Sequence, residues 1–179
     1  MNPSVTAFQG KRVLARGSLD EVTLRCREAL RQDEHAQLLI FNDETGEQID
    51  LSYRDKPAPA EEPRRPGRPK LGVVAREVTL LPQHWAWLAE QPGGASVALR
   101  KLVEHGMKAN RHKDRVRRAQ QATNRFLSAM AGNEPGFEET TRALFRGDGP
   151  AFRAEIAHWP ADIRSYAGVL AAAAFAEES

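Results

Sequence analysis

The amino-acid sequence predicts an α+β fold: a small N-terminal antiparallel sheet with one helix, a proline-rich linker, a strand–helix–helix element and a helical C-terminal region. Three observations carry this. Strand-type segments cluster in the first 53 residues. Five prolines then fall between residues 54 and 70. Beyond Pro82 the apolar residues recur at helical spacing. The expected segments are residues 1–53, 54–72, 73–109 and 110–179.

In chain order, Val5–Phe8 and Arg12–Ala15 suit two short strands joined by a tight turn near Gln9-Gly10. Ser18-Leu-Asp-Glu21 has the spacing of a capping box, with hydroxyl and carboxylate satisfying each other's backbone N–H groups. Val22, Cys26, Ala29 and Leu30 then mark one face of a helix to about Arg31. Leu38–Phe41 is a compact apolar run ended by Asn42-Asp-Glu-Thr-Gly46, a turn signal, and Ile49, Leu51 and Tyr53 alternate with polar residues as on a half-buried strand. A sheet with a helix on one face follows from that order.

The prolines of residues 54–70 block regular pairing and favour an extended linker. Val73–Leu81 suits a strand, and Pro82 suits the first turn of a helix to about Gln91, stopped by Pro92-Gly93-Gly94. Of Trp85 and Trp87, about 200° apart on that helix, one is expected in a core and the other at an interface. Ser96 is the expected N-cap of the next helix, with Leu99, Leu102, Val103 and Met107 on its apolar stripe. Arg111–Met130 is a further helix whose first half is crowded with cations. Positive charge opposes the macrodipole at a helix start, so it is expected to continue the preceding helix. Three short helices should follow, broken at Gly132, at Gly147-Asp-Gly149 and at Trp159-Pro160. Their core candidates are Phe137, Leu144, Phe145, Phe152, Ile156, Ile163, Tyr166 and Leu170.

Charge is segregated behind a net value of +2. Residues 1–63 sum to −4, residues 64–125 to +10 and residues 126–179 to −4. Twenty of the 26 basic residues are arginine, the side chain suited to bidentate anion recognition. A basic centre of this kind attracts polyanions, nucleic acid above all; the alternative is docking against the chain's own acidic ends.

Other chemistries are poorly represented. One cysteine, Cys26, leaves no intramolecular disulfide and too few thiolates for a cysteine-based zinc site. The five histidines include no pair at the i, i+4 spacing of a helical metal site. No phosphate-binding glycine loop or nucleophile motif is present, so neither an enzyme nor a cofactor is expected. Phe8 and Phe41 could form a base-stacking platform or a core. The longest apolar run, Val169–Ala176, is too short to span a bilayer, and Met-Asn-Pro-Ser is not followed by a secretory pattern. A cytosolic setting, at the nucleoid, is the expectation.

The stretch Arg76–Leu88, with Gly94-Ala-Ser96 and the helix after it, resembles the ribbon–helix–helix family of DNA-binding proteins. The resemblance implies a homodimer whose paired strands enter the major groove, with phosphate at the start of the second helix near Ser96. Aligned on Leu81-Pro82, the groove-facing positions are Arg76, Val78 and Leu80, of which Arg76 alone has guanine-reading donors. Arg65-Pro-Gly-Arg68-Pro-Lys70 resembles an AT-hook, with Pro66 where that motif carries an arginine before its glycine. It implies contact with an A·T-rich minor groove. The run Gly67–Trp85, with Gly93-Gly94-Ala-Ser96 and the segment around Trp159–Arg164, resembles a bacterial family known as domain of unknown function 2239.

The expected partner is therefore double-stranded DNA. Arg64, Arg65, Arg68 and Lys70 are the expected arm; Arg76, Ser96, Arg100 and Lys101 the groove and backbone contacts; and Arg111, Arg115 and Arg118 further phosphate contacts. The alternative is an interaction or dimerisation module, or an RNA binder, whose basic helix grips an acidic partner.

Overall fold

The computed structural model describes residues 4–50, 74 and 76–176. Four strands, β1 (Ser4–Gln9), β2 (Arg12–Ser18), β3 (Leu38–Asn42) and β4 (Gln48–Ile49), form one antiparallel sheet in the order β2-β1-β3-β4. The seven α-helices of the described residues are α1 (Leu19–Gln32), α2 (Pro82–Ala89), α3 (Gly94–Ala109), α4 (Arg111–Met130), α5 (Phe137–Arg146), α6 (Gly149–Glu155) and α7 (Ala161–Ala171). They fall into two compact units: the N-terminal stretch together with everything from His112 onward, and the stretch 74–111 between. The linker, its AT-hook-like motif and the expected strand positions Leu51 and Tyr53 lie outside the described residues.

The first unit is a sheet covered on both faces, not one. Alternation sends Val5, Ala7 and Ile40 to one face, where Val22 and Cys26 of α1 close over them. Thr6, Phe8 and Phe41 point to the other face. There Phe8 and Phe41 meet Phe126 of α4, and Phe8 and Phe126 meet Tyr166 of α7, at ring-centroid distances of 4.7–5.5 Å. Both phenylalanines of the sheet are fully buried, so the base-stacking platform is excluded in favour of a core. Tilted and edge-on contacts of this kind add about 1 kcal/mol each beyond area burial.

Ser18 caps α1 through the expected box: Glu21 N–H donates to the Ser18 hydroxyl, and the Glu21 carboxylate accepts from Ser18 N–H at 3.0 Å. The C-terminal helices break where the glycines and Trp159-Pro160 stand. Phe145 corrects the expected core: it is 51% exposed because its neighbour Leu144 takes the inward position. The α3–α4 helix is not continuous; Asn110 interrupts it, its side-chain amide donating to Gly106 O at 2.9 Å.

A polar knot ties the sheet to α7. The Asp43 carboxylate accepts from Ser4 and Thr6 of β1 at 2.7 Å, from Tyr166 at 2.8 Å and from Arg16 at 3.1 Å. Burial pushes the Asp43 pKa up, but those hydrogen bonds and the Arg16 charge outweigh it and hold the carboxyl below its ordinary range. Burial, followed by the bond to Asp43, holds the Tyr166 hydroxyl above its own.

Gly46, in the β3–β4 turn, has φ +65° and rests on α4: a Cβ there would stand 2.1 Å from Ala122 O. Gly46→Ala is expected to cost about 3 kcal/mol in urea denaturation, from left-handed strain plus overpacking. Gly10→Ala, where φ is +56° and nothing lies within 4 Å, should cost only about 1 kcal/mol.

Because the folded pKa of Asp43 lies below its unfolded value, the ionised form contributes stability above about pH 4 that drains away as pH falls through the folded pKa. Asp43→Asn should therefore lose about 2 kcal/mol at pH 7 and flatten the acid limb of the stability curve. Calorimetry across pH 2 to 7, roughly, checks both effects.

Candidate nucleic-acid interface

The second unit is a helical hairpin. Two consecutive left-handed glycines, Gly93 (φ +86°) and Gly94 (φ +75°), turn the chain between α2 and α3, and a Cβ on Gly93 would press Val97 at 3.1–3.2 Å. The hairpin is sealed only at Leu88 and Ala98. Val78, Leu81, Trp85, Trp87, Leu102, Val103 and Met107 are all more than two-fifths exposed. Neither tryptophan is thus buried within one chain, because an eight-residue helix with one neighbour has room to bury a single large side chain.

Two expectations about this unit are corrected. Ser96 does not cap α3: the helix begins at Gly94 behind the N-cap Gly93, and Ser96 lies in its first turn with an exposed side chain. The left-handed glycine pair starts the helix three residues earlier than a serine cap would. Residues 76–81 form no strand pairing among the described residues, since a strand forms only where a neighbour satisfies its N–H and C=O groups. Arg76, Val78 and Leu81 are exposed there.

Of the expected contact residues, Arg64, Arg65, Arg68 and Lys70 lie outside the described residues. Arg76, Ser96, Arg100, Lys101 and Arg111 belong to the second unit, and all five are exposed. Arg115 and Arg118 belong to the first, and the structure brings them together on one cleft. Along α4 itself, Arg111, Arg115 and Arg118 recur at i, i+4 and i+7, one above another on a single face.

The electrostatic state of these groups decides what they can bind. Arg117 is taken by Asp114 at 2.8 Å, and Arg125 by Glu47 at 3.5 Å and Thr45 O at 2.9 Å. Arg118 donates to the Asp114 carbonyl at 3.3 Å, and Arg115 meets His112 Nδ1 at 3.1 Å. Among the described residues, no carboxylate pairs with Arg76, Arg100, Lys101, Arg111, Arg115 or Arg118. Their charge is exposed and available to an external anion. Arg125 escaped the expected set although it follows Arg118 by one heptad on the same face, a signal present in the spacing.

No group of three or more potential metal ligands is found among the described residues, and no helix there is long and apolar enough to cross a membrane. Cys26 is buried against β1 and β3, and burial pushes its thiol pKa up, away from the reactive thiolate.

An α+β chain with a two-faced sheet and an inserted helical hairpin defines the architecture. Residues 4–171 match the family model described as an uncharacterized protein conserved in bacteria, and the chain belongs to that family, domain of unknown function 2239. No curated protein and no solved structure matches it significantly.

Because they hold no carboxylate among the described residues, Arg100→Ala, Lys101→Ala and Arg118→Ala are each expected to leave stability within about 0.5 kcal/mol of the parent chain. Thermal unfolding of the three variants checks this, and a larger loss would place those cations in the fold itself.

Proposed function

We propose that the chain is a homodimeric DNA-binding protein, a transcriptional regulator or nucleoid-associated factor of the bacterial cytoplasm. The observation that carries this reading is the helical hairpin with its apolar side chains uncovered beside cations that lack carboxylate partners among the described residues.

A second copy supplies what the hairpin lacks. Covering the exposed half of a large apolar side chain returns about 1 kcal/mol. Seven such residues per copy would give on the order of 10 kcal/mol, enough to meet association costs of several kcal/mol. Antiparallel pairing of residues 76–81 across the twofold axis would satisfy a backbone segment that has no strand partner among the described residues, and a two-stranded ribbon fits the major groove. Arg76 then reads base edges. The open N–H groups at the start of α3, near Ser96, with Arg100 and Lys101, hold backbone phosphate. Arg111, Arg115 and Arg118 extend the phosphate contacts along α4, and the arm Arg64, Arg65, Arg68 and Lys70 enters an A·T-rich minor groove.

A second reading, a protein-interaction module or RNA binder, draws on Val78 and Leu80, aliphatic at two of the three positions a ribbon turns toward bases. The two readings part in one set of experiments. Sedimentation should show a dimer that Leu102→Asp converts to a monomer. Anisotropy with an A·T-rich duplex should show log K falling against log salt with a slope of roughly −5 for about six neutralised phosphates. Arg100→Ala combined with Lys101→Ala should reduce that slope by about 2. Absence of duplex binding at about 50 mM salt, where the electrostatic term is large, would sink the DNA reading. Tighter binding of RNA in competition, or a co-purifying protein without nuclease-sensitive absorbance, would favour the second.

A further inference from the structure

On the first unit, α4, α7 and the β3–β4 turn enclose a cleft of about 330 Å3. That volume is at the small end of the range typical of small-molecule sites, about 300–1,000 Å3, so it suits a compact ligand and not a polymer.

Its walls differ in chemistry. Arg115 and Arg118 form one wall, on adjacent turns of α4, so that both guanidinium forks can reach a single head group. Neither has a carboxylate partner among the described residues. Val169, Leu170 and Ala173 also line the cleft, with Val169 51% exposed. Asp43 also lines the cleft, but Ser4, Thr6, Tyr166 and Arg16 already occupy its oxygens. Arg125 is spent on Thr45 and Glu47. Glu44, exposed at the mouth, is the one lining carboxylate outside that arrangement.

We propose that this cleft binds a small phosphate monoester carrying an apolar or aromatic body. The phosphate takes the two guanidinium groups, and the body rests on Val169, Leu170 and Ala173. A phosphate monoester carries nearly two negative charges at neutral pH, which matches two guanidinium groups whose described partners, His112 and the Asp114 carbonyl, carry no negative charge; a carboxylate would leave one charge uncompensated. The site stands apart from the DNA reading, since a chain that fails to bind duplex DNA would still bind the monoester. If both hold, the ligand competes with nucleic acid for Arg115 and Arg118 and so acts as an effector.

The test is calorimetric titration of the full chain with phenyl phosphate, inorganic phosphate and phenylacetate. Phenyl phosphate should bind saturably and at least roughly tenfold more tightly than either of the others, one lacking the body and the other the second charge. Arg115→Gln combined with Arg118→Gln should weaken it at least about tenfold, and Val169→Asp likewise, with melting temperatures near that of the parent chain because all three side chains are solvent-facing. Equal affinity for inorganic phosphate would reduce the site to surface charge. Equal or tighter binding of phenylacetate would remove the phosphate assignment. No saturable binding to about 10 mM, or binding unchanged in the variants, would overturn the site altogether.

Discussion

The first unit depends on covering the second face of the sheet. One face is closed early in the chain, by α1 over Val5, Ala7 and Ile40. The other presents Phe8 and Phe41, and leaving two aromatic side chains in water on a four-stranded sheet would cost several kcal/mol. The chain answers with Phe126 and Tyr166, more than 80 residues further along, which close the aromatic cluster. Asp43 holds the same junction with polar bonds, and Gly46 lets the β3–β4 turn lie against the backbone of α4. Because the two halves of the core are far apart in sequence, whatever lies between them is an insertion into one folded unit.

That insertion works under a different constraint. Its helices are too short, and too few, to bury what they carry, so two tryptophans and five aliphatic or methionine side chains face outward. Isolated elements of this kind gain stability by association. The cations of the centre follow a related logic. The acidic residues that balance them in overall charge are largely engaged or placed elsewhere: Asp43 in its knot, Glu21 in the capping box, Glu47 on Arg125 and Asp114 on Arg117. Arg100, Lys101, Arg111, Arg115 and Arg118 are thus left exposed, with no carboxylate partner among the described residues.

Much of the local structure was legible because it is set by neighbours in sequence. The Ser18–Glu21 box, the turn after Asn42, the glycine stop at Gly93-Gly94 and the breaks at Gly147 and Trp159-Pro160 act over a few residues and stand where the pattern places them. The start of α3 was missed by three residues because a serine cap and a left-handed glycine pair compete for the same turn. Phe145 was misassigned because adjacent apolar residues on a helix cannot both face inward, and which one does depends on the partner surface.

By itself the sequence determined the α+β class, most of the helix breaks and the electropositive centre, since propensity, capping and charge are properties of the residues in place. The tertiary structure alone decided that the sheet is covered on both faces, that Asp43 meets Tyr166, that Arg115, Arg118 and Val169 line one cleft, and that Phe8 and Phe41 belong to a core. Each of these joins residues from distant parts of the chain. Periodicity can say that a residue has an apolar side to bury, but which distant surface buries it is settled only when the whole chain packs.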